Sequence, residues 1–453
     1  MTTAATAPHI AIACGGTGGH VFPGLAVADE LMRRGCAVTL LVSPKEVDQQ
    51  AVRLFVRGTP TRLGADGLQA LACAAIRPRL GFQRAEPVLG ALMEVVTLPA
   101  TALQRGSRLA FLRGCWQSWR AAGKLFRSRP PLAALAMGGF TSAPPILAAK
   151  NLRAKTFIHE SNTIPGRANR WLARIVDQAY VGFPSAISQL HVREATVTGT
   201  PVRSEFQPCN PTASRAALGL DPATPVLLVM GGSQGAHGIN EMILSALPIL
   251  AKHASHWQWL HLTGPLDADQ VRHNYAALGV KAIVHPFLAD MHLALGAATV
   301  AVSRAGASSL AELAAMRLPP LLVPFPYAAD NHQFHNARAF TETGAARLLE
   351  QKDATPEKVA SLLTELMENE TVREMIQSAL AQWHAPKAAA QIVEMMLKVV
   401  GNELTEQVGG KGKPTPGPSQ EGSIRVIRAA QFPSFEGLGV GSSEMAQTME
   451  RRA

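Results

Sequence analysis

At 453 residues the chain is longer than a single hydrophobic core ordinarily supports, so two domains are expected, and its 47% hydrophobic content can fill both. Five cysteines without a C-x-x-C pair argue against a disulfide framework and against a structural zinc site, and they fit a reducing compartment. The net charge of +10 is concentrated, because residues 53–129 hold thirteen Lys/Arg against three Asp/Glu, a placement that suits an anionic membrane surface or nucleic acid.

The opening MTTAATAPHIAIAC lacks a basic stretch followed by an apolar one, so no signal peptide is expected. A strand is predicted at His9 to Cys14, then a glycine-rich turn and a helix from Pro23 to Arg33 closed by Gly35. The strand AVTLLV and a helix start at PKEVDQQAVR follow. Residues 54–91 are rich in Arg, Pro and Gly without periodicity and read as an insertion in a loop before the strand MEVVTL. The uncharged stretch Pro130 to Ala149 is interrupted by Gly138-Gly139 and Pro144-Pro145, which favours a buried strand running into a loop over a membrane span. Strands at Phe157–His159 and Gln178–Phe183 complete a first βα series, and the alternation restarts near residue 204 with TPVLLVMGG, WQWLHLTG, AIVHPFL, ATVAVSRAG and LPPLLVPF. From Gly401 to Ala453 a Gly/Pro/Ser-rich composition predicts a disordered tail. The fold class is therefore α/β, with two Rossmann-like domains.

Four motifs carry chemistry. C-G-G-T-G-G-H (Cys14 to His20) follows the first strand, where closely spaced glycines let backbone N–H groups and a helix N-terminus approach an anion; a tight turn without ligand is the plainer alternative. Its spacing is neither G-x-G-x-x-G nor a Walker loop. G-G-S-Q-G (Gly231 to Gly235) repeats the arrangement in the second half, so a cleft between the two domains is expected. In S-R-A-G-A-S-S-L-A-E (Ser303 to Glu312), Ser309 and Glu312 have capping-box spacing; alternatively that helix N-terminus faces a diphosphate and Glu312 accepts ribose hydroxyls. D-N-H-Q-F-H-N-A (Asp330 to Ala337) places side-chain amides after a proline-rich loop, which alone reads as surface.

Together with M-G-G-F (Met137 to Phe140), H-E-S-N (His159 to Asn162) and G-T-P-V-R (Gly199 to Arg203), these strings resemble, in the same order, those of the MurG family of bacterial cell-wall transferases, over residues 9–400 apart from the insertion. The resemblance implies a GT-B fold, with an acceptor- and membrane-binding domain at 8–203, a UDP-sugar domain at 204–385 and a helix at 386–400 returning to the first domain. It implies transfer of N-acetylglucosamine from UDP to the 4-hydroxyl of N-acetylmuramic acid on lipid I, with inversion, at the cytoplasmic face of the inner membrane. By the same resemblance Thr17, Gly18 and Gly19 lie beside the donor and acceptor phosphates and Asn162 touches the sugar. Arg203 and Ser233 bind the donor, and the backbone of Leu288 recognises uracil. Ala307, Ser308, Ser309, Leu310, Ala311 and Glu312 form the diphosphate and ribose loop, and Gln333 reads sugar hydroxyls. His332 stands where the family has a second glutamine.

His20 has a side chain suited to general-base work near neutral pH, or to fixing the turn; Glu160 is the reserve base, with His159 holding the loop. Helix N-termini and backbone N–H groups are expected to meet the leaving diphosphate, so no metal and no cofactor are expected. In RLAFLRGCWQSWRAAGKLFR (Arg108 to Arg127), Leu112, Trp116, Trp119, Gly123 and Phe126 recur at helical spacing among Arg113, Arg120, Lys124 and Arg127. An ordinary core-facing helix explains this stripe, but tryptophans ringed by arginine also suit a headgroup layer, and Trp119 keeps the family's spacing to M-G-G. Trp116 and Trp119 are thus the candidate membrane residues; the expected partners are UDP-N-acetylglucosamine, lipid I and an anionic inner-membrane surface, and no nucleic acid. A related enzyme acting on a diffusible acceptor, or a basic scaffold derived from one, is the alternative.

Overall fold

The computed structural model describes residues 7–16, 18–58, 87–88, 93–101, 108–232, 235–253, 256–409 and 425–428. The N-terminal half runs β1 (His9–Ala13), α1 (Gly18–Arg33), β2 (Ala37–Val42), α2 (Glu46–Gly58), β3 (Pro87–Val88), β4 (Met93–Thr97), α3 (Arg108–Ser128), β5 (Ala133–Ala136), α4 (Ala143–Asn151), β6 (Lys155–Glu160), α5 (Arg167–Leu172), β7 (Gln178–Val181) and β8 (Glu194–Val197). The C-terminal half runs α6 (Pro211–Ala217), β9 (Val226–Met230), α7 (His237–His253), β10 (Gln258–Leu262), α8 (Ala268–Ala277), β11 (Ala282–His285), α9 (Met291–Ala297), β12 (Val300–Ser303), α10 (Ala307–Met316), β13 (Pro320–Leu322), α11 (His332–Glu342), β14 (Arg347–Leu348), α12 (Pro356–Glu368), α13 (Glu370–Trp383), α14 (Ala388–Gly409) and β15 (Arg425–Arg428).

Two separate sheets result. The first has the order β15-β8-β7-β6-β5-β1-β2-β4-β3, parallel except for the β3–β4 pair, and the second has the parallel order β11-β10-β9-β12-β13-β14. Apolar runs suit such strands because helices cover both faces. On β1, Ile10 and Ile12 join one core with Val21, Leu25 and Leu31, while Ala11 between them joins another with Leu41 and Ile158. In each sheet the strand order reverses beside the first strand, between β1 and β5 and between β9 and β12. Crevices at the carboxyl ends of strands open at such reversals, and the glycine motifs follow β1, β5, β9 and β12. The last helix, α14, packs on α1 and sends Ile392, Val393, Met396 and Val400 into the core of the first sheet.

Several expectations change. α1 starts at Gly18, not Pro23; two glycines at its start weaken the helical signal there. α2 continues to Gly58 and buries Phe55, so the segment read as an insertion from residue 54 begins inside a helix. Pro87–Val88 pair antiparallel with β4, and the rest of 59–92 lies outside the described residues. The uncharged stretch Pro130 to Ala149 becomes β5 and then helix α4 instead of a loop, with prolines in the first turn, where a missing N–H costs nothing. The expected tail is helical as far as Gly409, and Arg425–Arg428 adds a parallel strand beside β8; its other residues lie outside those described.

Candidate active site between the two domains

His20 lies in the first turn of α1, and its half-buried imidazole is seated against the backbone of the M-G-G-F turn. A Cβ on Gly138 would stand 2.9 Å from His20 Cδ2, and one on Gly139 would stand 2.2 Å from Gly15 O and 3.2 Å from His20 Nδ1. Both glycines also have positive φ, 98° and 81°, so the second motif is shaped to admit the histidine. Burial holds the His20 pKa below its ordinary 6.5; the Glu160 carboxylate opposes that shift, and His332, His159 and Lys45 add to it. The ring is therefore neutral near pH 7 and able to accept a proton.

Glu160 ends β6, and its carboxylate is already engaged. Oε1 accepts from Asn162 N (2.9 Å) and Nδ2 (3.1 Å), and Oε2 accepts from Gly166 N (2.9 Å) and Asn169 Nδ2 (2.9 Å). Four donors make it the organiser of the 160–169 loop, so the geometry disfavours its reserve reading as the base. His159 is fully buried; its Nε2 donates to Gly199 O (3.0 Å), which leaves Nδ1 to accept from Ser161 Oγ (3.2 Å). Burial lowers its pKa to about 4, so it too stays neutral and structural.

Across the cleft, Gly306 precedes α10 without a side-chain cap, and Ser309 lies inside the first turn. The capping-box reading therefore fails. Glu312 instead points toward Arg203, Oε1 lying 3.8 Å from Nη2, and burial raises its pKa to about 7, against the Arg203 charge and with help from Glu205. Arg203 is stacked between Phe22 (4.6 Å) and Phe206 (4.8 Å) and also pairs with Glu205 (3.2 Å). Ser308 Oγ donates to Gly19 O (3.0 Å). That carbonyl is free because Pro23, four residues on, has no N–H to offer it. The N-termini of α1 and α10 thereby meet at one cleft, each bringing a partial positive charge.

The D-N-H-Q-F-H-N-A motif is surface only at its start, where Asp330 and Asn331 are exposed; its Asn336 is buried against the N-terminal domain. Asn336, fully buried, accepts from Thr163 N and Oγ1 (both 2.9 Å) and donates to Asn162 Oδ1 (3.0 Å) and Ala305 O (3.2 Å). Asp330 and Asn331 adopt left-handed φ of 50° and 52°, which short polar residues tolerate, and Asp330 pairs with Arg170 at 2.6 Å. Gln333 Oε1 accepts from Phe325 N (3.0 Å), so its NH₂ end is what remains for a ligand. His332 Nδ1 donates to Ala329 O (2.8 Å), which leaves Nε2 as an acceptor. Sequence reasoning missed Asn336 as a partner of Asn162, although it stands in a motif already singled out.

Gly18 and Gly19 line the first turn, Ala307 and Ser308 open α10 with Leu310 and Ala311 behind them, and Leu288 lies after β11, half-buried against the C-terminal core. Thr17 and Ser233 lie outside the described residues. Asp267-Ala268-Asp269 has D-x-D spacing, a string that the expectation of a metal-free site passed over. Its carboxylates have different partners: Asp267 Oδ2 takes His237 and Asn240, and Asp269 takes Arg272. Among the described residues no group of three or more His, Cys, Asp or Glu is placed to hold a metal ion. On α3 the expected apolar stripe splits. Gly114, Ser118, Ala122 and Phe126 face the protein, while Trp116 and Trp119 are 53% and 39% exposed beside Leu109 and Leu112, with Arg120 stacked over Trp116 at 4.8 Å.

Two Rossmann-like domains that meet across a cleft, the start of α10 bonded to the first turn of α1, form the GT-B arrangement. Solved structures share it: MurG from Acinetobacter baumannii (TM-score 0.61, 24% identity, 86% of this chain and 99% of that one) and the calicheamicin glycosyltransferase CalG4 (0.56, 19%, 87% and 99%). The glycosyltransferase family 28 N-terminal domain matches residues 10–69 and 80–181, and the family 28 C-terminal domain matches 226–392. The UDP-N-acetylglucosamine–N-acetylmuramyl-(pentapeptide) pyrophosphoryl-undecaprenol N-acetylglucosamine transferase of Anaeromyxobacter sp. (strain K) is 35% identical over 418 residues, 90% of this chain and 97% of the relative. The same enzyme of Syntrophus aciditrophicus is 32% identical over 392 residues, 86% and 99%. The chain belongs to glycosyltransferase family 28 and, within it, to this group of N-acetylglucosamine transferases.

Proposed function

We propose that the chain transfers N-acetylglucosamine from UDP to the 4-hydroxyl of the N-acetylmuramic acid of lipid I, undecaprenyl-diphospho-muramoyl peptide, giving lipid II for peptidoglycan. The observation that carries this reading is the 35% identity, over 90% of the chain, to a transferase named for that reaction. His20 takes the proton of the attacking hydroxyl in a single displacement with inversion at the anomeric carbon. The nearby Glu160 carboxylate, held by its four donors, favours the imidazolium that forms. The N–H groups opening α10 receive the charge that grows on the UDP leaving group, Glu312 accepts the ribose hydroxyls, and the NH₂ of Gln333 donates to the sugar.

The acceptor's polyprenyl chain lies in a bilayer, and among the described residues no helix is long and apolar enough to cross one. The enzyme therefore docks peripherally at the cytoplasmic face of the inner membrane through Trp116, Trp119 and the basic side chains around them. The exposure of both tryptophans beside a groove of ≈ 270 Å³ that Arg120, Arg127 and Leu152 also line supports this reading over a core-facing helix. Incubation with radiolabelled UDP-N-acetylglucosamine and a lipid I analogue tests the assignment: a labelled disaccharide–lipid is expected, and its absence with intact donor binding would refute it.

A further inference from the structure

The first glycine turn is not an empty anion cradle. The Gly16 N–H donates to Asp48 Oδ2 at 2.6 Å, and the Ser43 hydroxyl donates to the same oxygen. Asp48 is fully buried, so the turn has one amide already satisfied and a carboxylate beneath it. A phosphate arriving there meets a negative charge that some cation must offset.

The basic side chains around the cleft are nearly all committed. Arg203 serves Glu205 and Glu312. Arg304 is buried on Val323 O, Pro324 O and Gln351. Arg170 holds Asp330. Lys45 differs: its exposed side chain reaches back over the turn, Nζ donating to Gly16 O at 2.8 Å and standing 5.3 Å above the Phe140 ring. Among the described residues no carboxylate lies within ion-pair distance of it. Three N–H donors leave it two after Gly16 O, and a compact ammonium serves phosphate as a point charge.

We propose that Lys45 receives the diphosphate of the lipid-linked acceptor on the N-terminal side of the cleft. The inference rests on the acceptor reading above. In that acceptor the diphosphate hangs from the anomeric carbon of the sugar whose 4-hydroxyl reacts, so it lies one pyranose ring from His20. From the loop between β2 and α2, Lys45 reaches the glycine turn that leads into His20, near enough for its charge to act on the imidazole. The donor diphosphate faces the opposite wall, at the start of α10, which separates the two anions.

The test compares wild type, Lys45→Met and Lys45→Arg as full chains, with UDP-N-acetylglucosamine and two acceptors: a lipid I analogue bearing the diphosphate, and a muramyl peptide bearing a neutral alkyl linkage. Removing a charge-assisted contact should raise the KM of Lys45→Met for the diphosphate acceptor about tenfold or more, and Lys45→Arg should recover most of the loss. The KM for the donor should stay within about twofold, and the neutral acceptor should not distinguish the variants. An unchanged KM for the diphosphate acceptor, an equal loss on both acceptors, or a rise confined to the donor would overturn the assignment. Wild-type failure on the diphosphate acceptor would instead refute the acceptor reading itself.

Discussion

His20 keeps its place because residues 138 and 139 carry no side chains, and its chemistry follows from that seat. If it is the base, His20→Ala should lower kcat by roughly a hundredfold or more while UDP binding survives. Because its pKa is depressed, the acid limb of kcat/KM should fall below 6.5, activity being lost as pH drops through the folded-state value. Near-normal turnover in the variant would move the proton transfer elsewhere. Glu312 is shifted the other way, to about 7, so the carboxylate that we propose accepts ribose hydroxyls is fully ionised only above that pH. UDP binding by calorimetry should therefore weaken between about pH 8 and about pH 5.5 in wild type and change little in Glu312→Gln. The same raised pKa means the unfolded chain releases this proton more readily, so its contribution to stability declines as pH rises from 4.5 to about 7. Glu312→Gln should accordingly melt no lower than wild type near neutral pH; a lower melt with unchanged UDP affinity would make Glu312 structural. The motif glycines and Glu312 were legible in the sequence because their residue types and spacing announce turns and helix starts. That Glu312 meets Arg203 instead of completing a capping box was not, since it depends on where Arg203 arrives from a distant segment.

At the scale of elements, helix ends and faces decide what touches what. Pro23 inside α1 frees a carbonyl for Ser308, and small residues on α3 turn its tryptophans outward. The pattern of α3 revealed an amphipathic helix but not which face lay inward, because Gly114, Ser118 and Ala122 carry little hydrophobic signal while forming the close-packed side. Trp116→Ala with Trp119→Ala should weaken flotation with anionic vesicles while leaving the thermal melt and soluble-acceptor turnover nearly unchanged. Each basic residue near such a surface contributes on the order of 1 kcal/mol, and the attraction fades over a Debye length of about 10 Å at 0.1 M salt, so binding should be salt-sensitive and absent on zwitterionic vesicles. A lower melting temperature or lost turnover in the double variant would return these tryptophans to a packing role.

Across the whole molecule, the two βα series and their restart were readable from alternating apolar runs, and the cleft from paired glycine turns. The contacts that close the cleft were not, because Asn336 to Thr163 and Ser308 to Gly19 exist only once two domains dock. α14 ties them: truncation after residue 385 removes Ile392, Val393, Met396 and Val400 from the N-terminal core and should lower the melting temperature by many degrees, whereas truncation after Gly409 should be tolerated far better. Equal tolerance of both cuts would contradict that role. The central claim is the reaction itself, and it is tested most directly by the linkage in the product of ¹³C-labelled UDP-N-acetylglucosamine and lipid I. A β-linked N-acetylglucosamine on O4 of the muramyl residue, read from the anomeric coupling in NMR spectra, is the predicted result; an α linkage, another attachment site, or transfer only to a diffusible acceptor would contradict it.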